Sequence, residues 1–301
     1  MASPALVRPS LTASTRILSS ATEVIKFLHP GYNAPNNILF ALERVDPAPA
    51  DGPTTFGVHH ATALVGCQII ANNAWAGRLT LDREGERPVE PHTSLDSVLT
   101  AKAYYFVVDT QPLYPVVPSF RDWAFPHDNI PEYWPSIPDR EHASERCALT
   151  DSSYSKTDGH LVPKEAGGWF TNNSMVVYGV DRRDTEDSAN MVPLRVDVDT
   201  WLDSRGWTIT PKPTPDQGNQ YVAHVLDTKL APKFYNSYHN IQLRLPGRTV
   251  REYVFAHFAW TLIQLVKPFV TSSISRAVVY VEKEQGKAPQ WLVGELQGDQ
   301  L

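Results

Sequence analysis

Between positions 147 and 203 the chain presents Cys147, His160, Asn190, Asp199 and Asp203 in that order. His160 lies in Asp158-Gly159-His160-Leu161-Val162-Pro163. An unperturbed imidazole titrates near ~6.5, so a neutral ring exists at physiological pH and can take a proton from water once a carbonyl or carboxylate fixes its tautomer. By itself, a histidine on an apolar strand is usually a satisfied core or surface group. Asn190, ahead of an apolar run, reads alone as a turn residue. Asp199 and Asp203 stand four apart and share a helix face if a helix forms there, and acids in a first turn also complement the helix dipole. Cys147 lacks the other thiolates of a zinc box and reads as a small buried hydrophobe. A Cys147/His160 nucleophilic pair would want an oxyanion hole and an orienting third group, and neither is visible. His224, His239 and His257 occur in apolar surroundings, from which folding could draw them into a metal site. Gly-x-Gly-x-x-Gly, Gly-x-Ser-x-Gly and His-Glu-x-x-His are absent.

Taken together, Cys147-Ala-Leu-Thr150, Asp158 to Pro163 and Asn190-Met-Val-Pro-Leu-Arg-Val-Asp197-Val-Asp199-Thr-Trp-Leu-Asp203 resemble an HNH endonuclease motif. The similarity is greatest to fungal HNH-domain proteins, in which a His-Leu-Ile/Val-Pro signature is followed by a Trp-Phe segment, here Trp169-Phe170. Tyr104-Tyr105-Phe106, the Tyr114 to Trp134 segment, Tyr221 to His224 and Phe255 to Trp260 also look like landmarks of that family. The resemblance implies a ββα-metal fold with His160 as general base, Asn190 ordering the loop or metal site, and a divalent cation as cofactor. Where the family has a histidine ligand this chain has Asp199, and Asp203 matches the aspartate that usually follows. A carboxylate pair suits Mg²⁺ or Mn²⁺, with Zn²⁺ the softer option. Gly159 occupies a position where several family members carry an acidic ligand. The implied activity is metal-dependent hydrolysis of phosphodiester bonds in nucleic acid, DNA foremost, at a local site. Such chemistry needs a base to activate water, a cation to offset charge on phosphate and leaving oxygen, and a scaffold holding them in line. The alternative is a degenerate, inactive HNH fold serving as a nucleic-acid-binding or protein-interaction module.

Composition bounds these readings. The chain has 301 residues, 33 Asp+Glu against 27 Lys+Arg, a formal net charge of -6, 42% hydrophobic residues and two cysteines. That length suggests two domains with ordinary cores. Two cysteines exclude a disulfide scaffold or cysteine-rich zinc module and point to an intracellular, cytoplasmic or nuclear home. An acidic balance argues against a protein that coats nucleic acid or an anionic membrane. The longest apolar stretch, Tyr253 to Val266, contains His257 and Gln264, falls short of a bilayer span and reads as a buried helix, so no membrane partner is expected. The first twenty residues lack Asp and Glu and are rich in Ser, Thr and Ala, compatible with a frayed terminus or, more weakly, a transit peptide. Oligomeric state is not legible.

The elements that must position the site are expected in an α+β arrangement: a small strand-containing N-terminal domain over residues 1–111 and an HNH-like ββα-metal domain over 141–270. A Pro/aromatic segment over 112–140 joins them, and a last strand with a polar tail follows over 271–301. Strands are expected at Ile38 to Leu42, Arg78 to Leu81, Tyr104 to Val108 and Trp207 to Thr210. His60 to Ala71 is ambiguous by period. Cys147 to Thr150 and His160 to Val162 form the expected hairpin. Helices are expected at Val198 to Ser204 and from Val250 to Val266, the latter stopped by Pro268. The prolines between 112 and 138 forbid long helices, while the interleaved rings favour an ordered, packed segment over a solvated linker.

Overall fold

The computed structural model describes residues 23–48, 55–89, 95–109, 111–138, 146–214, 218–230, 232–284 and 286–297. The Ser/Thr/Ala-rich first twenty residues, with both readings offered for them, lie outside that set. The fold is mixed α+β with several small sheets and few helices. The chain divides into two compact units, Glu23–Pro126 with Ala259–Leu301, and His127–Phe258.

The first unit begins with β1 (Val24–Leu28) and β2 (Ile38–Glu43), an antiparallel pair. Alternation places Ile25 and Phe27 in the core, where Phe27 stacks on Phe40 at 4.9 Å. Strands β3 (Asp46–Ala48) and β4 (Thr55–His59) lead into α1 (His60–Ile70). The run that was ambiguous by period is this helix, buried on nearly every face, as expected of a core helix apolar all round. Asn72 and Asn73 leave it with φ of 56° and 59°, the left-handed conformation asparagine tolerates. After β5 (Arg78–Thr80), β6 (Val98–Leu99) and β7 (Ala103–Val107), the sheet order is β2-β1-β7-β5, with β1 and β7 parallel.

Over its described residues, 112–138, the Pro/aromatic segment is ordered, and all of its Phe, Tyr and Trp rings but the half-buried Tyr133 are core. In the first unit Tyr114, Phe120, Trp123 and Phe125 are buried, and Trp123 Nε1 donates to Asn73 Oδ1 (2.9 Å). In the second, Trp134 is buried against Tyr221, Phe255 and Phe258.

The second unit is built on β8 (Lys156–His160) and β9 (Met191–Arg195), antiparallel with His160 opposite Met191. Between them runs an insertion containing α2 (Gly167–Asn172); from β9 the chain passes directly into α3 (Val196–Asp203). The expected hairpin is corrected in its partners. Cys147 to Thr150 is a turn, closed by Asp151 N–H on Cys147 O (2.9 Å) with Asp151 at φ 58°, and β8 pairs with a strand beyond the insertion. A second hairpin, β10 (Trp207–Thr214) and β11 (Gly218–Val225), packs behind α3, where Trp207 Nε1 donates to Val198 O (3.1 Å). Helix α4 (Pro232–Tyr238) follows, and α5 (Arg251–Ile263) carries the chain out of the unit.

Pro268 does not end the helical run. It sits in the first turn of α6 (Lys267–Val270), where a missing N–H costs nothing. The stretch Arg251–Val270 is the one helical run among the described residues long and apolar enough to cross a membrane, and 78% of its apolar window is buried in the protein, as in a core helix. The C-terminal region forms β12 (Arg276–Glu282) and β13 (Gln290–Leu296), a full hairpin where one strand and a polar tail were expected.

Candidate functional site

His160 is the last residue of β8, with its side chain 15% exposed. Two contacts fix the chain just beyond it. Leu161 N–H donates to Asn190 O (2.9 Å), and Leu161 O accepts from Nδ1–H of His257 (2.9 Å). His257 is fully buried on α5; burial pushes its pKa down to about 4, so it is a neutral core donor.

Asn190, also fully buried, closes the loop more tightly. Its Oδ1 accepts from Val162 N–H (2.8 Å), and its Nδ2 donates to Val162 O (2.8 Å) and Thr185 O (2.8 Å). One amide thereby satisfies both backbone groups two residues after His160 and pins the far end of the insertion to the same point. Trp169, Phe170 and Met175 are buried, and Tyr253 on α5 donates to Met175 O (3.0 Å), packing the insertion onto the unit.

Asp187 anchors the rest of the insertion. Its carboxylate accepts from the N–H groups of Val180, Asp181, Arg182 and Ala189 at 2.8 to 3.2 Å. Burial pushes its pKa up, but these donors outweigh it and hold the carboxyl below its ordinary value.

Asp199 and Asp203 lie one turn apart on α3. The Asp199 carboxylate rests over Gly159: a Cβ there would collide with Asp199 Oδ1 and come 3.0 Å from Leu194 Cδ1. Asp199 Oδ1 is buried without a hydrogen-bond partner. Burial, then the charges of Asp203 and Asp158, raise the Asp199 pKa to about 6. The Asp203 pKa is also raised, by burial first and then Glu165, against opposing contributions from His160 and Arg205.

Burial lowers the His160 pKa, assisted by Lys164 and opposed by Glu186, Asp203 and Asp158. Asp203 on the helix and Asp158 on the strand are both felt at His160 and at Asp199, and so couple the two side chains electrostatically. Among the described residues of this unit, no three histidine, cysteine, aspartate or glutamate ligand atoms converge within 4.8 Å of one another. The acids nonetheless fit a hard cation chemically. Two carboxyls on one helix face resist ionisation because burial disfavours their charged form, and one presents a buried oxygen with no other partner.

Glu186 and Lys164 are the site residues that sequence reasoning missed. Glu186 Oε1 lies 3.6 Å from His160 Nε2 and accepts from Lys164 Nζ at 2.7 Å. Glu186 lies within the charged run Asp181 to Asp187, and its sole sequence signal is an acid a few residues before Asn190. The remaining candidates fall elsewhere. Cys147 is buried and free, its Sγ accepting from Thr150 N–H. His224 and His239 lie with ring centroids 5.1 Å apart; His224 Nδ1 is 3.0 Å from Lys212 Nζ, and His239 Nδ1 accepts from Val225 N–H.

No protein-family model, no curated protein and no solved structure matches this chain.

Proposed function

We propose that the His127–Phe258 unit is an HNH-like, ββα-metal hydrolase that cleaves phosphodiester bonds in nucleic acid, DNA foremost, with Mg²⁺ or Mn²⁺ as cofactor. The observation that carries this reading is the strand, strand, helix order in which Asn190 clamps the loop leaving His160 while the following helix presents Asp199 and Asp203. A divalent cation, when bound, would offset charge on the phosphate and on the leaving oxygen.

In this reading His160 takes a proton from water, the resulting hydroxide oxygen bonds to phosphorus, and the bond from phosphorus to the leaving oxygen breaks as that oxygen gains a proton from solvent. The lowered His160 pKa keeps the ring neutral and able to accept at pH 7. Asp199 and Asp203 are the residues that would hold the cation. Lys164, 64% exposed beside His160, supplies a positive charge for a phosphate.

A second reading, an inactive fold that binds nucleic acid or protein, is favoured by the absence of three converging ligand atoms among the described residues of the unit. Incubation with supercoiled plasmid and Mg²⁺, Mn²⁺ or Zn²⁺, paired with a gel-shift assay, separates the two. Metal-dependent nicking supports the hydrolase; retention of DNA with no nicking under any metal supports the binding module.

A further inference from the structure

His160 Nε2 is shielded from solvent and makes no hydrogen bond, yet Glu186 Oε1 stands 3.6 Å away and takes a 2.7 Å hydrogen bond from Lys164 Nζ. The backbone around Glu186 is held on both sides, Thr185 O by Asn190 and residue 187 through its carboxylate among four backbone donors. Glu186 itself is about one third exposed, with its N–H on Asp184 Oδ1 (2.9 Å). Its side chain can therefore swing while its Cα stays put, and closing 3.6 Å to a hydrogen bond takes less than about 1 Å of travel.

We propose that Glu186 is a positioning residue for His160, holding the ring with hydrogen on Nε2 and the lone pair on Nδ1, and that Lys164 restrains Glu186 short of this contact until a phosphate draws the lysine away. The chemistry is that of an acid orienting an imidazole base, in which the ring nitrogen facing the carboxylate carries hydrogen and the opposite nitrogen faces the reacting water. Lys164 projects into solvent and can exchange one anion for another. A phosphodiester that captured Lys164 would leave His160 Nε2, 3.6 Å away, as the facing donor for Glu186 Oε1, with Arg182 the other cation near that carboxylate. The other charges near the ring are Asp203 on α3 and Asp158 on β8. Neither has a hydrogen bond to it in this structure.

The phosphate-triggered release rests on the hydrolase reading; the Glu186–His160 pairing does not. The test uses the full chain with ¹⁵N-labelled histidine, the His160 ring signals being assigned by their loss in His160→Ala. Long-range ¹H–¹⁵N spectra report the tautomer directly. The Nε2–H share should be greatest in Lys164→Met, where the restraint on Glu186 is gone, lower in wild type, and in Glu186→Ala lower than in Lys164→Met by about threefold or more relative to Nδ1–H. Glu186→Gln, which keeps the shape, guards against a folding defect and should fall between. Tautomer ratios unchanged in folded Glu186→Ala and Lys164→Met would overturn the pairing. In the nicking assay, Glu186→Ala should lower kcat roughly tenfold with KM for DNA little changed. Unaltered kcat in an active enzyme counts against the positioning role. A tautomer shift in a protein that never nicks DNA upholds the pairing and sinks the hydrolase reading alone.

Discussion

The carboxylate of Asp199 occupies the space over Gly159 that any other side chain would fill. Strand β8 thus gives up its own side chain at the position before His160, and the following helix supplies an acid in its place. The two residues are coupled sterically, and the coupling is measurable. Gly159→Ala should cost about 1–3 kcal/mol through overpacking against Asp199 and Leu194. In an Asp199→Ala background the cost should shrink by about 1 kcal/mol or more, which a double-mutant cycle in urea would reveal. Equal costs in both backgrounds would show that the carboxylate does not occupy that space.

Asp199 also predicts a pH dependence. A carboxyl whose pKa is raised from 3.8 to about 6 by folding binds its proton more tightly in the folded state. Its favourable contribution is complete below the unfolded value and is lost as pH rises through about 6. Buried neutral His257, with its pKa lowered to about 4, works in the opposite direction, favouring folding above the ordinary histidine range and less so as pH falls. The two partly cancel in wild type, so the informative quantity is the difference from Asp199→Asn. That variant should gain on the order of 1 kcal/mol relative to wild type between pH 5 and pH 8, solvent screening of the half-buried carboxyl being allowed for. A difference that stays constant with pH would show that Asp199 titrates normally.

Asn190 should be structural whatever its part in the chemistry. Truncation to alanine leaves Val162 N–H, Val162 O and Thr185 O without their side-chain partner in a buried setting. The expected loss is about 3 kcal/mol, seen as a lower urea midpoint. Asn190→Asp keeps only the acceptor and buries a charge, so it should be no better tolerated. A change below about 0.5 kcal/mol in either variant would mean that the clamp is dispensable.

The α3 acids should respond to cations. At pH 8 Mg²⁺ or Mn²⁺ should raise the Tm of wild type by about 5 °C when present at ~100 times Kd, and the shift should vanish in Asp199→Asn with Asp203→Asn. An equal shift in the double variant would place the cation elsewhere.

Much of the fold was legible where its signals were local. Helix α3 follows from the acids of its first turn and the apolar Val198 and Leu202, which are buried, and β10 from the Trp-Thr-Ile-Thr alternation that follows Gly206. The hairpin partner was not, because β8 and β9 pair across an insertion with three of its own anchors, Asn190, Asp187 and Tyr253. An apolar tetrad such as Cys147 to Thr150 has strand composition, yet Asp151 in a left-handed conformation turns the chain back. His160, Asn190 and the α3 acids were singled out through the family resemblance, and folding sets Asn190 against the loop that leaves His160. Glu186 and Lys164 were not, because a surface-type acid and lysine acquire a role only when folding sets them beside a particular ring.

Nicking of supercoiled plasmid by wild type and His160→Ala, side by side with and without Mn²⁺, bears most directly on the proposed activity. Wild type should convert supercoiled to open-circular DNA only with metal, and His160→Ala should lose that activity by about 100-fold or more while melting as a folded protein. Nicking at the same rate by both proteins would contradict His160 as the base, and a wild type inert with every divalent metal would contradict the hydrolase itself.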